Sequence, residues 1–413
     1  MELKPGYKLT EVGVIPEDWD VQSLENLTEQ QRPISYGIVQ TGPNIANGIP
    51  CLRVVDIHDG RINKTELIHT SQQISDGYKR TILKVGDLVM PLRGKVGDVG
   101  MIDAELKGAN LTRGVAILAI RSQSSGKFCR HFISWSTTRK RLEQAMNGSA
   151  LQEIPIANLR TFKIGLPPLP EQRLIATALC DVDELLGGLD RLITKKRDLK
   201  QSAIQQLLTG KIRLPGFDGE WKMKRLGKVV DTDPENLSSD TCPEFAFNYI
   251  ALEDVDRGFL RSYTENFFAN APSRARRKLR VNDVLVSTVR PNLQSHLIFR
   301  EEAGIWICST GFCVIRCREG ITNPSYIFFH LFAGHITHQI ETLLTGSNYP
   351  AINSNDVRAL SIPIPSYKEQ TAIASILSDM DTEIAALEQR RNKTRDLKQA
   401  MMQELLTGRI RLL

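Results

Sequence analysis

Two long stretches of the chain carry apolar residues spaced by threes and fours, the period of a helix that buries one narrow stripe. Neither stretch has an internal proline, from Glu171 to Gly210 or from Glu369 to Gly408, and each glycine stands where a helix C-terminal cap is expected. We predict two helices of about 38 residues, each roughly 55 Å long. Their stripes form a predicted coiled-coil seam, made of Ile175, Leu179, Val182, Leu186, Leu189 and Ile193 in the first helix and Ile373, Leu377, Met380, Ile384 and Leu387 in the second.

Both helices belong to an internal repeat. RDLKQSAIQQLLTGKIRL (residues 197–214) recurs as RDLKQAMMQELLTGRIRL (residues 395–412), and the match extends without a gap back to Glu171 and Glu369. Farther upstream, Trp19 and Trp221 open the same W-x4-L pattern. We predict that the repeated helices pair with each other in antiparallel orientation. The alternative is that each helix packs only on its own domain, but so long a helix with so narrow a stripe favours a partner helix of similar length.

The blocks between the helices have a different pattern. Short β-rich runs such as GVAILAI, DVLVSTV and FCVIRC alternate with turn residues, and shorter helical patterns follow them. The predicted fold class is α+β, with two mixed α/β domains joined by the antiparallel coiled coil in a pseudo-two-fold repeat. The predicted domains are residues 1–164 and 215–362, and the helical segments are residues 165–214 and 363–413.

Composition narrows the class of protein. The chain has 413 residues, 41% hydrophobic and 24% charged, and a net charge of +6, which favours a polyanionic partner such as nucleic acid. No stretch of about 18 apolar residues predicts a membrane span, and the N-terminus lacks the apolar core of a secretory signal. Seven scattered cysteines are typical of free thiols in a reducing cytoplasm.

Two unlike domains held apart by a rigid spacer suit a DNA target that is read in two separate parts. A DNA duplex repeats about every 34 Å, so domains a few tens of ångströms apart would meet grooves one or more turns apart. Because the domains differ in sequence, the two halves of such a target differ and it is not a palindrome.

The chain resembles the specificity subunit of Type I restriction-modification systems along nearly its whole length. The resemblance depends on LPPLPEQ through LLTGKIRL (residues 166–214), its second copy ending in LLTGRIRL, IPEDW (residues 15–19) and GFDGEW (residues 216–221). It implies two target-recognition domains that each read half of a split sequence in double-stranded DNA. One departure is IPSYKEQ (residues 364–370), which lacks two prolines of LPPLPEQ and is expected to alter the bend into the helix.

The resemblance also implies partners. Two modification subunits that methylate adenine with S-adenosylmethionine would dock on the helices. Restriction subunits with ATP-driven translocase and nuclease activity would join them. S-adenosylmethionine, ATP and magnesium would belong to those partners, so we expect no cofactor on this chain.

We expect no catalytic residues either. RGKVGDVG (residues 93–100) lacks the Ser or Thr of a P-loop, and no Asn/Asp/Ser-Pro-Pro-aromatic tetrad of an amino-methyltransferase is present. Cys308, Cys313 and Cys317, with histidines nearby, have poor spacing for zinc, so no metal site is predicted. The competing hypotheses are a stand-alone DNA methyltransferase or nuclease, and a coiled-coil scaffold with no nucleic-acid role.

Candidate DNA contacts are polar and basic residues next to predicted strands. SRARRKLR (residues 273–280) is the densest basic cluster, although it would equally suit a solvated turn. TVRPNLQSH (residues 288–296) carries base-reading types on a predicted loop, and PLRGKVGD (residues 91–98) is its counterpart in the first domain. The candidates are Arg274, Arg276, Arg277 and Lys278; Arg290, Asn292, Gln294 and His296; Arg93 and Lys95; and Arg53, Arg113, Tyr249 and Thr310 beside neighbouring strands.

Overall fold

The computed structural model describes residues 5–148, 152–344 and 350–412. The outermost residues of the predicted first domain and last helical segment, 1–4 and 413, lie outside this range. The chain divides into two compact units. Unit 1 comprises residues 1–189 and 390–413, and unit 2 comprises residues 190–389. Each unit therefore contains one mixed domain together with parts of both long helices.

Unit 1 is built on small sheets. The strands are β1 Tyr7–Thr10, β2 Gly13–Pro16, β3 Asp20–Ser23, β4 Ser35–Tyr36, β5 Ile49–Leu52, β6 Ile57–His58, β7 Arg61–Ile62, β8 Ile68–Thr70, β9 Leu88–Pro91, β10 Gly100–Met101, β11 Asn110–Leu111, β12 Val115–Leu118 and β13 Lys163–Leu166. A four-stranded sheet has the order β10-β9-β12-β4, and a three-stranded sheet has the order β11-β5-β8 with β11 parallel to β5. The pairs β1-β2, β3-β13 and β6-β7 are antiparallel. The central strands β9 and β12 are buried along their whole length, which explains their continuous apolar runs.

Short helices cover one face of these sheets. Within the two mixed domains they begin mostly at Ser or Asn caps: the Ser125 hydroxyl, for example, accepts a hydrogen bond from the Phe128 amide at 3.3 Å. The helices of unit 1 are α1 Leu24–Leu27, α2 Gln72–Asp76, α3 Gly126–Ser134, α4 Ser136–Gln144 and α5 Ile156–Thr161, followed by the long helix α6 Leu169–Leu207.

Unit 2 repeats most of this topology, with one strand more in its second sheet. Its strands are β14 Lys222–Arg225, β15 Val230–Thr232, β16 Ala246–Ile250, β17 Val255–Asp256, β18 Phe259–Leu260, β19 Thr264–Phe267, β20 Ala275–Lys278, β21 Val284–Ser287, β22 Leu297–Ile298, β23 Trp306–Ser309, β24 Phe312–Cys317 and β25 Ser361–Ile364. The two four-stranded sheets have the orders β15-β24-β21-β22 and β19-β16-β23-β20, with β16 parallel to β23. The pairs β14-β25 and β17-β18 are antiparallel. The helices are α7 Pro324–His330, α8 Gly334–Leu343, α9 Ser354–Ala359 and the long helix α10 Tyr367–Leu405.

The two long helices, 39 residues each, occupy equivalent positions of the repeat. Each begins two residues earlier than the sequence predicts, so Pro170 lies in the first turn of α6, where its missing N–H is not needed. The equivalent start of α10 at Tyr367 means that the lost prolines of IPSYKEQ do not move the beginning of the helix. Gly210 and Gly408 follow the helix ends with φ of 69° and 68°, the left-handed conformation that suits glycine.

Within each unit, α6 and α10 pack antiparallel. In unit 1, Leu179 of α6 and Met402 of α10 share a core, and the Lys398 ammonium lies 2.6 Å from the Asp183 carboxylate. In unit 2, Ile204 and Ile373 share a core, and Lys196 pairs with Glu383 at 2.7 Å. None of the predicted seam residues is exposed: Ile175, Leu179, Leu189, Ile193, Ile373, Leu377 and Ile384 are buried, and Val182, Leu186, Met380 and Leu387 are half-buried.

A buried glutamate at the start of each long helix binds residues from distant parts of the chain. Glu171, only 2% exposed, accepts hydrogen bonds from Trp19 Nε1 at 3.1 Å and from Arg411 Nε and Nη2 at 2.7 and 2.8 Å. Glu369 accepts the same set from Trp221 Nε1 at 3.1 Å and Arg213 Nε and Nη2 at 2.7 and 2.9 Å. The arginine that follows one long helix thus reaches the glutamate that begins the other.

The neighbouring glutamine is equally fixed. Gln172 Oε1 accepts from the Ser125 amide at 2.8 Å and its Nε2 donates to the Pro167 carbonyl at 2.8 Å. Gln370 makes the equivalent pair of bonds to Asn323 and Pro365, at 3.0 and 3.1 Å. Helix pairing is therefore only part of the reason for the sequence repeat, because the Glu-Gln, Trp and Arg positions must match as well.

Candidate nucleic-acid interface

Two loops occupy the same place in the two units. Loop A (residues 92–99) joins β9 to β10, and loop B (residues 288–296) joins β21 to β22. The amides of Leu92 and Thr288, at the start of each loop, donate to the carbonyls of Gly114 and Gly311 at 2.8 and 2.9 Å. The same register on both sheets makes the loops structurally equivalent, so differences between them are differences in side chains on a shared framework.

Loop A presents basic side chains. Arg93, Gly94 and Lys95 are exposed, whereas Val96 to Val99 are buried. Gly94 and Gly97 have φ of 72° and 89°, so glycine supplies the left-handed turns of the loop. Lys95 Nζ lies 2.9 Å from His58 Nδ1 on the β6-β7 hairpin. Loop A therefore offers two exposed positive charges supported from one side by a hairpin.

Loop B carries a different set of side chains from loop A. Arg290 and Asn292 are exposed, Pro291 is buried, and residues 291–293 form a 3₁₀ turn. Gln294 is half-buried: its Oε1 accepts from Arg257 Nη2 at 2.6 Å and its Nε2 donates to Thr337 Oγ1 at 3.4 Å. Of the residues predicted on this loop, Arg290 and Asn292 present their side chains to solvent, and Gln294 is engaged with the protein.

His296 and Tyr249, two further candidates, lie inside unit 2. His296 is fully buried, and its Nδ1 accepts a hydrogen bond from the Ser287 amide at 3.2 Å. Burial lowers the pKa of His296 to about 4, so the imidazole is neutral at physiological pH. Tyr249 is 6% exposed on β16, and burial raises its pKa. This burial corrects the expectation for both residues, because neither side chain can reach a duplex in this conformation.

The basic cluster of residues 273–280 forms an edge strand, β20, and much of its charge is paired. Arg277 forms an ion pair with Asp233, Arg280 pairs with Glu235 at 2.5 Å, and the Arg276 guanidinium stacks 4.9 Å from the centre of the Phe268 ring. Lys278 is half-buried, whereas Arg274 is exposed. The cluster is therefore largely a structural feature of unit 2, and its exposed cations are Arg274 and Arg280.

The remaining candidates lie beside the loops. Arg53 is tied to Asp56 by bonds of 3.1 and 2.8 Å, which raise its pKa, and it caps a short 3₁₀ turn. Arg113 and Thr310 are both exposed, and each precedes a glycine that is tightly packed. A Cβ on Gly114 would lie 2.7 Å from the Val54 side chain, and a Cβ on Gly311 would lie 2.6 Å from the Leu252 side chain. Arg113 and Thr310 are thus equivalent positions that differ in chemistry.

Sequence reasoning did not single out the two hairpins β6-β7 and β17-β18. The amide of Asp59 donates to the Asp98 carboxylate beside loop A, and the amide of Gly258 donates to the His296 carbonyl in loop B, at 3.1 and 2.8 Å. Each hairpin tip therefore lies against its loop and exposes a polar residue, His58 in unit 1 and Arg257 in unit 2. The turn sequences HDG and DRG were the available signal, but a turn signal does not reveal which loop the turn contacts.

Two members of the cysteine–histidine cluster noted in the sequence, Cys308 and Cys313, are buried. Burial raises the pKa of the Cys313 thiol to about 11 and that of the Cys308 thiol still further, which is typical of inert core cysteines. In the described ranges, the side chains close enough to share a metal are those of His58, Asp59 and Asp98. Lys95 Nζ lies 2.9 Å from His58 Nδ1 and Arg139 forms an ion pair with Asp98, so cations of the protein contact two of these three side chains.

Comparisons with known proteins indicate the same family over most of the chain. A family model described as "Type I restriction modification DNA specificity domain" matches residues 16–195 and again residues 219–394. The putative type I restriction enzyme MjaX specificity subunit of Methanocaldococcus jannaschii is 26% identical, over 98% of this chain and 96% of that protein. The type I restriction enzyme StySPI specificity subunit of Salmonella potsdam is 20% identical, over 97% and 90%.

Solved structures share the fold. The S subunit of a Type-I restriction-modification system from M. genitalium superposes with a TM-score of 0.59 at 16% identity, covering 98% of this chain and 99% of that chain. A chain from a type I R-M system, solved to describe complex assembly and conformational transition, gives a TM-score of 0.58 at 18% identity, covering 96% and 99%. In the described part of the chain, no helix has the length and apolarity needed to cross a bilayer.

Proposed function

This chain belongs to the Type I restriction-modification DNA specificity family, and we propose that each of its two units reads one half of a bipartite, asymmetric target in double-stranded DNA. The observation that carries the proposal is the equivalence of loops A and B. The same framework presents Arg93 and Lys95 in unit 1 but Arg290 and Asn292 in unit 2. Arginine and lysine favour guanine edges and phosphates, whereas asparagine favours adenine, so the two units are expected to read different bases.

The long helices supply the spacing in this proposal. Helix α6 begins in unit 1 and ends in unit 2 without a break, and α10 returns in the opposite sense. Ion pairs between them, such as Lys200 with Asp381 at 2.5 Å, resist sliding of one helix along the other. The number of unread base pairs between the two half-sites is therefore expected to follow the helix length.

The helices also offer a surface to partner subunits. Leu192 and Leu199, one heptad apart on α6, are 39% and 47% exposed. In this proposal the two exposed leucines form part of a protein-binding surface. Two modification subunits are the proposed occupants, and restriction subunits with translocase activity would join the same cytoplasmic complex.

In this proposal the chain binds DNA and performs no chemistry. Its partners bring S-adenosylmethionine for adenine methylation, and ATP and magnesium for translocation and cleavage. The competing hypotheses, a stand-alone methyltransferase or nuclease and a scaffold without DNA, receive no support from the relatives, which are specificity subunits. Incubating the chain alone with labelled S-adenosylmethionine and DNA tests the methyltransferase hypothesis. Methyl transfer without a partner is expected only if the chain is itself the enzyme.

The deciding experiment is a map of adenine methylation in cells with and without this gene. We expect a set of sites with two unlike short elements separated by a constant unread gap, all of which disappear with the gene. A matched exchange of residues 1–164 for those of another family member should change one element and leave the other intact. Methylation that is unaffected by deletion of the gene, or a target read as one continuous element, contradicts the proposal.

A further inference from the structure

In unit 2, three residues with long polar side chains have a left-handed backbone conformation that favours glycine. Arg257, Arg290 and Gln294 have φ of 40°, 49° and 56°. Elsewhere in the described ranges, the non-glycine residues with positive φ are Asn47, Asp59, Asp233 and Asn282. Asparagine and aspartate enter the left-handed region at little cost, whereas arginine and glutamine enter it against a clear steric preference. Such residues concentrated in one place indicate that their side chains serve a function.

Unit 1 shows that the fold itself does not require these side chains. Loop A has left-handed glycines, Gly94 and Gly97, where loop B has Arg290 and Gln294. The turn of the β6-β7 hairpin has Asp59 in the left-handed conformation, where the β17-β18 hairpin has Arg257. The two units thus share left-handed positions in the hairpin and in the loop, although loop B is one residue longer, and unit 2 has arginine and glutamine at these positions.

Two of these residues form a pair across the hairpin and the loop. Arg257 Nη2 donates to Gln294 Oε1 at 2.6 Å, and the Gly258 amide donates to the His296 carbonyl at 2.8 Å. Gln294 in turn reaches Thr337 on α8 at 3.4 Å. The amide of Gln294 therefore holds the exposed guanidinium of Arg257 from one side.

The remaining N–H groups of that guanidinium are available to a ligand. Within the described part of the chain, Gln294 is the hydrogen-bond partner of the Arg257 side chain. An arginine can donate two parallel hydrogen bonds to O6 and N7 of guanine, a pattern that no other base pair edge offers in the major groove. Holding the side chain before binding lowers the entropy that is lost when the contact forms.

We propose that Arg257 reads a guanine in the half-site of unit 2 and that Gln294 is its positioning residue. The inference rests on the proposed function of unit 2 as a DNA reader and names a residue on which the specificity of that reader depends. Arg257 belongs to the hairpin, a different segment from the loop that carries Arg290 and Asn292, so the half-site is read from two segments.

The test uses the full chain in complex with its modification subunits and a library of randomised DNA duplexes, with methylated products sequenced. We expect Arg257→Ala to reduce the preference for guanine at one position of one half-site by roughly tenfold or more, leaving the other half-site unchanged. Gln294→Ala should weaken the preference at the same position by a smaller factor. Arg257→Gly separates reading from folding, because it should produce the same loss of preference with an unchanged or higher melting temperature.

Arg261→Ala is the matched control. Arg261 follows the same hairpin, is exposed, and forms an ion pair with Asp256, so its loss should leave every position of the target unchanged. A uniform fall in binding to all sequences with Arg257→Ala, as expected for a phosphate contact, overturns the inference, and so does an unaltered target. A wild-type complex that selects no bipartite target contradicts the proposed function itself, which is a different result.

Discussion

Arg411 donates two hydrogen bonds to the buried carboxylate of Glu171, 240 positions earlier in the chain. Glu171 is 2% exposed, and the pair is completed by the indole of Trp19 and by Asp18, which also accepts from Arg411. The arginine holds the pKa of the Asp18 carboxyl below its usual range. The contact joins the end of α10 to the beginning of α6, and Arg213 and Glu369 form its counterpart in unit 2.

Removing Glu171 is expected to destabilise unit 1. Glu171→Ala leaves the Arg411 guanidinium and the Trp19 N–H without their buried acceptor, a change that costs about 3 kcal/mol. Urea denaturation of the full chain should show a lower midpoint for the unfolding of unit 1.

Asp18→Ala provides the control for this prediction. The Asp18 side chain is 52% exposed, so its ion pair with Arg411 contributes at most about 1 kcal/mol. Equal effects of the two substitutions would show that the buried glutamate has no special role.

Two glycines are expected to respond to alanine in opposite directions. A Cβ on Gly37 would lie 2.0 Å from the Leu111 carbonyl oxygen, so Gly37→Ala should lower the stability of unit 1 by about 3 kcal/mol through forced backbone movement. A Cβ on Gly188 of α6 meets no atom within 4 Å. Gly188→Ala should therefore raise stability by roughly 0.5–1 kcal/mol through helix propensity alone. Thermal unfolding of both variants measures the contrast.

Stability of unit 2 is expected to fall as the pH drops from about 6.5 to 4. Burial lowers the pKa of His296 to about 4, so the unfolded chain binds a proton in this range that the folded chain does not. The resulting loss is about 1.4 kcal/mol per pH unit. His296→Asn retains an acceptor for the Ser287 amide and removes this titration, so the gap in unfolding free energy between wild type and variant should shrink with acidification. A constant gap would indicate that the pKa of His296 is the same in the folded and the unfolded chain.

Lengthening both helices should lengthen the unread gap. Four residues inserted after Thr194 and four after Leu387, at opposed levels of the antiparallel pair, add about 6 Å of helix. The gap between half-sites is then expected to grow by about two base pairs, measured from the methylated target. Four residues inserted after Asp218, in an exposed loop, should leave the gap unchanged.

Much of the architecture follows from the sequence. The three-four spacing of Ile175, Leu179 and Val182 and the glycine at position 210 set the helix and its end, because helix geometry is local. The pairing of Arg411 with Glu171 could not be predicted in this way. Both residues are ordinary polar positions in the sequence, and only the fold brings them together.

The candidate interface also contains contacts that could not be predicted from the sequence. Residue type suggested His296 and Tyr249 as candidate DNA contacts, but both side chains are buried: Tyr249 faces inward from strand β16, and His296 in loop B accepts a hydrogen bond from the Ser287 amide. The sequence did not show that Arg277 is paired, because its ion-pair partner, Asp233, lies in a segment more than 40 residues earlier. Arg257 was not singled out, because its importance depends on a contact with Gln294 that sequence spacing does not reveal.

The crossed Glu-Arg contacts bear on how new specificities can arise by gene recombination. Each mixed domain is flanked by the same Trp, Glu-Gln and Arg positions, so a crossover within the repeats delivers a foreign domain with its attachment points already in register. Under the proposed function, a domain exchanged in this way changes one half of the target without any change in the joints of the subunit.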